Sequence, residues 1–311
     1  MLRQQRSQLR TPSSSGRVGL SLIELLIAIA ICAVLLSLLL GAVQRARATA
    51  VRAACANNLR QLALGTHGHS AQAGLLPQGC AYPFATAASP RTAQAGISWQ
   101  TAILPYIEQG DLWQRAWRAN QTDPVGYSSA HMAIRETVVR LFLCPAESES
   151  RRVSHMGVSG TWATTSYVGV AGTSKYANDG IFHVNLSIRL TDITDGTANT
   201  LLLGERPPGP AGRFGGWYAN WGDCTCPIAQ ILAVGPRSVV AEDGSLCPLT
   251  PGLAPGRLDE LCSVEHFWSL HPVGALFAFA DGSVRFINYS AAPLLLSLAT
   301  RAGGEAETVP E

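Results

Sequence analysis

The sequence predicts an α+β fold in which one long helix near the N-terminus packs on an antiparallel sheet with long loops. Three observations favour it: a charge-free apolar run from Leu25 to Val43, an amphipathic segment after it, and short apolar stretches between turn residues in the second half. The 311 residues include 30 glycines and 18 prolines, which favours turns over a helical bundle. A chain of this length can bury a sizeable core.

The apolar run is long enough to cross a membrane as a helix. Four arginines but no acids precede Leu20, and one carboxylate, Glu24, lies directly before the run. An acid at the edge of such a run is costly to bury and usually has a function. The residues alone leave two interpretations of Glu24: a role in processing or assembly, or a side chain that snorkels at the interface of a simple anchor.

The segment from Gln44 to Thr66 continues the helix as a stem. Its alanines, arginines and leucines favour helix. Its apolar positions recur at steps of three and four residues: Ala48, Val51, Cys55, Leu59 and Leu62. We therefore expect one helix from Leu20 to about Thr66, which is apolar all round in its first half and amphipathic in its second.

The second half of the chain predicts short elements between turns. A short helix begins at Trp99 and is limited by Pro105. The Asp281-Gly282 dipeptide suits a tight hairpin turn. The predicted strands are Val138–Leu143, Tyr167–Val170, Gly180–Asn185, Asn199–Leu203, Gly274–Ala280 and Ser283–Ile287, and Leu294–Ala302 is a terminal helix. Residues 77–97 read as a surface loop.

The eight cysteines are scattered, which fits disulfides in an oxidising compartment better than a metal site. Cys32 lies inside the apolar run, and the other seven are an odd number, so at least one is expected to be free or paired between chains. Cys224 and Cys226 could be a thiolate pair for a metal, but no second pair at zinc spacing accompanies them. We expect each to bond to a separate partner.

The sequence lacks the residue patterns that are typical of several functional classes. No basic stripe with interleaved aromatic residues indicates a nucleic-acid partner. No nucleophile elbow, phosphate loop or dinucleotide fingerprint is present. We therefore expect no enzymatic activity, no cofactor and no bound metal.

The N-terminus carries Gly19, then Leu-Ser-Leu-Ile-Glu, then the apolar helix. This resembles the class III signal of type IV pilins and pseudopilins, in which a prepilin peptidase cuts after the glycine on the cytoplasmic side. The resemblance implies cleavage after Gly19, N-methylation of Leu20, and pairing of Glu24 with the N-terminal amine of a neighbouring subunit. Leu20 and Ser21 stand where that family usually has Phe and Thr.

Seven sequence segments follow one another along the rest of the chain: CANNLRQLALGTH, LPQG, SWQTAILPYIEQGDLW, LFLCP, TSYVGVAGT, DITDGTANTLLLGE and HPVGALFAFADGSVRFI. They resemble the DUF1559 proteins of the planctomycete type, which carry pilin-like N-termini. Gly68, His69 and Ser70 stand where that family usually shows an aromatic residue and a further histidine. The expected organisation is a leader 1–19, a membrane part 20–43, an amphipathic stem 44–66, an exported head 67–305 and a disordered tail 306–311.

Two polar groups are candidate ligand sites. His271 and Asp281 flank the first strand of the predicted hairpin, which is similar to a C-terminal His-x9-Asp-Gly motif of that family. The two residues could have a catalytic or metal-binding role. Alternatively, Asp281 and Gly282 form the turn, and His271 caps or packs the start of the strand. Oxygen ligands from Asp192, Asp195 and Asn199 could bind a cation, or these residues could cap their own turn.

Trp217 and Trp221 lie in GGWYANWG, where aromatic rings stack on sugars or fill a small core under a loop. Among the cysteines, we prefer a Cys55–Cys144 disulfide, because it would join the stem helix to the predicted strand before Cys144.

These features predict a pilin-like envelope protein with a single membrane pass through the inner membrane. Its N-terminus would be cytoplasmic, and its head would lie in the periplasm or on the cell surface. Its role would be structural or adhesive, with the prepilin peptidase and other pilin-like subunits as partners. The alternative is a tethered binding module for carbohydrate or another envelope ligand that does not polymerise.

Overall fold

A computed structural model describes residues 21–80, 97–123, 129–147, 152–155, 158–174, 177–210, 215–218, 231–232, 246–248 and 250–305. The chain forms two compact units, Met1–Ala48 and Thr49–Glu311. Several predictions lie outside the described residues: those on Gly19, Leu20, Trp221, Cys224, Cys226, most of the predicted loop 77–97 and the tail 306–311.

Helix α1 runs from Leu22 to Ala73 and includes both predicted halves. In the first unit, every side chain from Ser21 onward is exposed. This part is long and apolar enough to cross a membrane, by length and composition. The helix ends at Ala73, seven residues later than predicted, and the following Gly74 has φ +74° and donates its N–H to the Ser70 carbonyl at 2.8 Å.

Short helices and strands make up the rest of the second unit. The other α-helices are α2 Trp99–Ala102, α3 Gly110–Thr122, α4 Ser129–Arg135 and α5 Leu295–Ala299. The 3-10 helices are Leu104–Tyr106, Arg140–Phe142, Leu190–Asp192, Leu261–Glu265 and Tyr289–Leu294. The strands are β1 Arg152–His155, β2 Val158–Ala163, β3 Tyr167–Val170, β4 Leu201–Glu205, β5 Ile231–Leu232, β6 Gly274–Phe279 and β7 Val284–Asn288.

The main sheet has the order β5-β3-β4-β6-β7, and β1 pairs with β2 apart from it. Strands β3, β4, β6 and β7 are antiparallel neighbours, and β5 joins β3 in parallel. The predicted hairpin is present, with Gly282 at φ +85° in its turn, a conformation that glycine adopts without steric cost. The fold is therefore α+β, as predicted.

Apolar side chains cover both faces of the sheet, so β3, β4 and β6 are buried throughout. One face packs with the stem part of α1, and its cluster includes Leu59, Leu62, Trp99, Phe142 and Trp217. The other face packs with α5, and its cluster includes Val170, Phe267, Phe277, Phe279 and Leu298. Strands buried on both faces read as continuous apolar runs, which is how β4 reads in the sequence.

Two predicted strands are wrong. Val138–Leu143 contains the 3-10 helix Arg140–Phe142, and its N-cap Val139 and last residue Phe142, three residues apart, are both buried. Gly180–Asn185 is not a strand, although Val184 makes an isolated bridge with Cys80. The terminal helix is also shorter than predicted: α5 ends at Ala299 and follows a 3-10 helix.

The backbone of the predicted strand Gly180–Asn185 bonds to several separate segments, among them the Val170 carbonyl and the side chain of Arg301. Arg301 donates to the Gly180 carbonyl at 2.9 Å, and also to Nε2 of His183 at 2.9 Å. Because arginine only donates, the imidazole must accept and is neutral. Burial, together with the Arg301 charge, lowers the pKa of His183 from 6.5 to about 4, while Asp179 opposes the shift.

This histidine makes stability depend on pH. The folded pKa lies below the unfolded one, so the unfolded chain takes up the proton first, and stability falls as pH drops from 6.5 to about 4. The shift corresponds to about 3 kcal/mol. His183→Gln keeps an acceptor for Arg301 but has no group that titrates. Between pH 6.5 and about 4, we expect its free energy of unfolding to fall by about 3 kcal/mol less than that of the wild type.

The measurement is urea unfolding of both full chains in mild detergent at several pH values. Burial also lowers the pKa of His69 and His266, but these are common to both chains. Parallel pH profiles for the two chains would contradict the assignment to His183.

Candidate functional site

The strongest polar constellation of the head lies where four separate segments meet. Cys55 is on α1, Cys144 follows the 3-10 helix Arg140–Phe142, Glu205 ends β4, and His271 precedes β6. All four are buried, and one ligand atom from each lies within 4.8 Å of the others. We call these four residues the junction cluster.

Cys55 and Cys144 form the disulfide that the sequence predicts. A hydrogen bond supports it, because Asn58, one turn along α1, donates to the Leu143 carbonyl at 2.9 Å. The backbone N–H of Cys144 also donates to the Ser166 hydroxyl at 2.9 Å. Together these bonds fix the stem part of α1 to the head. A second disulfide joins Cys247 to Cys262, and Cys80 is also disulfide-bonded.

Glu205 places a carboxylate at the end of an otherwise apolar strand, and the residue is only 1% exposed. Its Oε2 accepts from the Leu276 N–H at 2.8 Å. Its Oε1 is 3.4 Å from His271 Nε2, within ion-pair distance. No group among the described residues donates a hydrogen bond to Oε1. A buried carboxylate oxygen without a donor is costly unless a cation stands beside it.

His271 supplies the ring that faces both the carboxylate and the disulfide. Its Nε2 is 3.7 Å from Cys144 Sγ. Its backbone N–H donates to the Ser269 hydroxyl at 3.0 Å, and that hydroxyl donates to the Gly274 carbonyl at 2.7 Å. Val273 in the same turn has φ +65°, a strained conformation for a β-branched residue. The surrounding bonds therefore hold this turn, and the imidazole with it, in one position.

The negative charge of Glu205 also acts on Tyr167. Burial raises the pKa of the Tyr167 phenol well above its usual value, and the nearby carboxylates of Glu205 and Glu147 raise it further. The phenol therefore stays protonated and donates towards the Cys55 carbonyl.

Asp281 does not join His271 in a shared site. It lies at the opposite end of β6, about 20 Å away for a six-residue strand. Its Oδ1 accepts from the Ser283 N–H at 2.8 Å across the hairpin turn. Of the two residues in the motif, one therefore builds the turn and the other enters the junction cluster.

The predicted cation ligands bind backbone groups. Asp192 accepts from the Arg189 N–H at 2.8 Å, and Asp195 accepts from the N–H groups of Gly303 and Gly304 at 2.6 and 2.9 Å. Asn199 donates to the Asp195 carbonyl at 3.3 Å. Asp192 and Asn199 therefore bond within their own turns, whereas Asp195 fixes the chain after α5.

Trp217 is fully buried, stacks near Phe142 at 5.4 Å between ring centroids, and donates its indole N–H to the Thr137 carbonyl at 3.0 Å. It packs in the core and offers no face to a ligand. Glu24 lies in the exposed first turn of α1, where its Oε2 accepts from the Ser21 N–H at 2.9 Å.

Sequence reasoning missed Glu205. The pattern that could have found it is the acid that directly follows the apolar run Leu201–Leu203 and Gly204. It also missed a cavity of about 390 Å³ beside α3. Its described lining includes His69, Gln72, Gln78, Tyr106, Trp113 and Ser187.

The fold and the cluster define a class: an α+β head, attached through a buried disulfide to a helix that is apolar enough to cross a membrane. The chain belongs to the family described as "Protein of unknown function (DUF1559)", whose profile matches residues 44–294. The matched segment includes all four residues of the junction cluster. No curated protein and no solved structure matches the chain.

Removing the His271 ring should destabilise the head strongly. His271→Ala removes the imidazole beside Glu205 Oε1 and leaves the carboxylate buried with fewer partners, which costs about 1–3 kcal/mol. Glu205→Gln keeps an acceptor for the Leu276 N–H and removes the charge. We therefore expect the double variant to be more stable than His271→Ala alone, with a coupling of about 1–3 kcal/mol.

Urea unfolding of the four full chains in detergent, followed by tryptophan fluorescence, measures the cycle. Asp281→Asn in the same motif is the matched control, and we expect it to change stability by about 0.5 kcal/mol or less because the side chain is exposed. Additive effects of the two cluster variants would show that the carboxylate and the imidazole do not interact.

Proposed function

We infer that the protein is a pilin-like, membrane-anchored envelope protein with a structural or adhesive role rather than a catalytic one. The observation that carries this proposal is the first part of α1. Large apolar side chains from Leu22 to Val43 are exposed, between 39% and 76%, and one carboxylate, Glu24, stands in the first turn. A surface of this kind needs lipid or other apolar helices to cover it.

The N-terminal sequence supports processing by a prepilin peptidase after Gly19. The cut would make Leu20 the first residue, directly before Ser21, whose N–H already bonds Glu24. A new N-terminal amine in this region would be a cation close to the start of a helix. In a filament, the Glu24 carboxylate of one subunit would neutralise the amine of its neighbour and so set the register between helices.

The cysteines support an exported head. Disulfides persist in oxidising compartments, and the head has two with both partners described, Cys55–Cys144 and Cys247–Cys262. We accordingly place the N-terminus in the cytoplasm, the apolar helix in the inner membrane, and the head in the periplasm or on the cell surface. The partners are the prepilin peptidase and other pilin-like subunits, and nucleic acid is not one of them.

Processing and assembly are tested together with full chains expressed in a host that has a working prepilin peptidase. We expect the wild type to begin at N-methylated Leu20 by mass spectrometry and to enter sheared filaments or detergent-stable oligomers. Glu24→Ala should be exported and folded but should lose at least about tenfold of this incorporation, because the buried amine then lacks its partner.

Glu108→Ala, which removes an exposed acid of the head, is the matched control and should assemble like the wild type. An intact Met1 terminus in the wild type would overturn the processing proposal. Normal incorporation of Glu24→Ala would overturn the role of the carboxylate in assembly.

The cavity beside α3 favours a second candidate function, the binding of a neutral carbohydrate by the head. Its volume falls in the range of small-molecule sites. Among its described lining residues, none carries a formal charge: burial lowers the pKa of His69, whose Nδ1 lies 3.1 Å from the Leu75 carbonyl. Amide, phenol and hydroxyl groups beside an aromatic ring suit a polyhydroxyl ligand.

A glycan array probed with the full chain in detergent tests this function. Trp113 lines the cavity. Trp117 packs against the Trp113 ring, at 5.7 Å between ring centroids, but is not among the lining residues. We expect Trp113→Ala to weaken the binding of neutral oligosaccharides by about tenfold, equal to 1.4 kcal/mol, and Trp117→Ala to retain it. A silent array, or equal losses in both variants, would contradict carbohydrate binding at this cavity.

A further inference from the structure

We propose that the junction cluster is a zinc site when its disulfide is reduced. Cys55 and Cys144 then supply two thiolates, His271 supplies imidazole Nε2, and Glu205 supplies carboxylate Oε1. In the oxidised head the two sulfurs are bonded to each other, so the same four residues alternate between a disulfide and a metal centre. Either state joins the stem part of α1 to the head.

The spacing of the ligand atoms fits a tetrahedral ion. Bond lengths of about 2.3 Å to sulfur and about 2.0–2.1 Å to nitrogen or oxygen place neighbouring ligand atoms about 3.3–3.8 Å apart. His271 Nε2 is 3.4 Å from Glu205 Oε1 and 3.7 Å from Cys144 Sγ. Once reduced, the sulfurs need only rotate apart, because the Cα atoms of Cys55 and Cys144 are 5.2 Å apart.

The ligand chemistry favours zinc over harder cations. Two thiolates, an imidazole and a carboxylate form a soft to borderline set, whereas calcium and magnesium need more oxygen ligands. All four residues are at most 6% exposed, so the site is closed, as structural zinc sites are. The ion would also satisfy Glu205 Oε1, which lacks a hydrogen-bond donor among the described residues.

The conversion balances with a dithiol as reductant. Its two thiols give two electrons and two protons to the Cys55–Cys144 bond and become a disulfide, which leaves two protein thiols. Zinc then displaces one proton from each thiol to water, together with any proton held on His271 Nε2, and binds the neutral imidazole and the carboxylate. The second shell is already in place, because Leu276 N–H holds the other oxygen of Glu205 at 2.8 Å.

The test uses the full chain in detergent. The protein is reduced with dithiothreitol, freed of reductant by gel filtration under argon, incubated with Zn²⁺ and filtered again. We expect about one zinc per reduced chain by mass spectrometry of the metal and none above background in the oxidised chain. Cobalt in place of zinc should give the absorption of tetrahedral thiolate coordination.

Cys144→Ser, Glu205→Gln and His271→Gln should each weaken zinc binding by at least about tenfold, the loss seen even when only the outer shell of a metal site is removed. The variant with Ser at both Cys247 and Cys262 removes the other described disulfide and should keep its zinc. Asp281→Asn should also keep it.

Zinc retained equally by the wild type and by Cys55→Ser/Cys144→Ser would overturn the proposal, as would its loss in the Cys247/Cys262 variant. Unfolding of the reduced chain is tested by its melting temperature with and without Zn²⁺. Zinc should raise that temperature in the wild type and not in His271→Gln. An unchanged melting temperature together with no retained zinc would also overturn the site.

Discussion

The attachment of the stem part of α1 to the head is the constraint on which the rest of the second unit depends. The Cys55–Cys144 disulfide joins residues 89 positions apart. In the chain-entropy model, closing a loop of that size stabilises the fold by about 4–5 kcal/mol. Leu59 and Leu62 follow Cys55 on the same face of the helix and share a core cluster with Trp99 and Phe142. The disulfide therefore holds in place the part of α1 that packs on one face of the sheet.

The register of the sheet determines what surrounds that attachment. Gly204 pairs with Phe277 between β4 and β6, so Glu205 comes opposite Leu276 and accepts its N–H. The turn before β6 brings His271 to the other carboxylate oxygen. A slip by one residue would send Glu205 to the opposite face, away from both groups. A buried carboxylate with specific partners thus fixes the register of two strands that are apolar almost throughout.

The sequence predicted the elements whose patterns are local. α1, β3 and the β6–β7 hairpin follow from apolar periodicity and from one turn dipeptide, and the Cys55–Cys144 bond was expected from the positions of its cysteines. Prediction failed for Gly180–Asn185, whose backbone bonds go to separate segments, to Val170 and to Cys80, so that no continuous ladder forms. Glu205 was missed because its partners come from segments distant in sequence, which no local pattern shows. The same reason hid the cavity beside α3.

Glu24 and Glu205 are both isolated carboxylates in apolar stretches of sequence, but Glu24 is exposed and Glu205 is buried. Glu205 is buried and finds its partners inside the chain, in the Leu276 N–H and the His271 ring. Among the described residues, Glu24 bonds only to the Ser21 N–H in its own first turn. The apolar side chains around it are also exposed, and a surface of this kind needs lipid or other apolar helices to cover it. The assembly proposed above would give Glu24 a neighbouring cation from another subunit, whereas Glu205 has the His271 ring within its own chain.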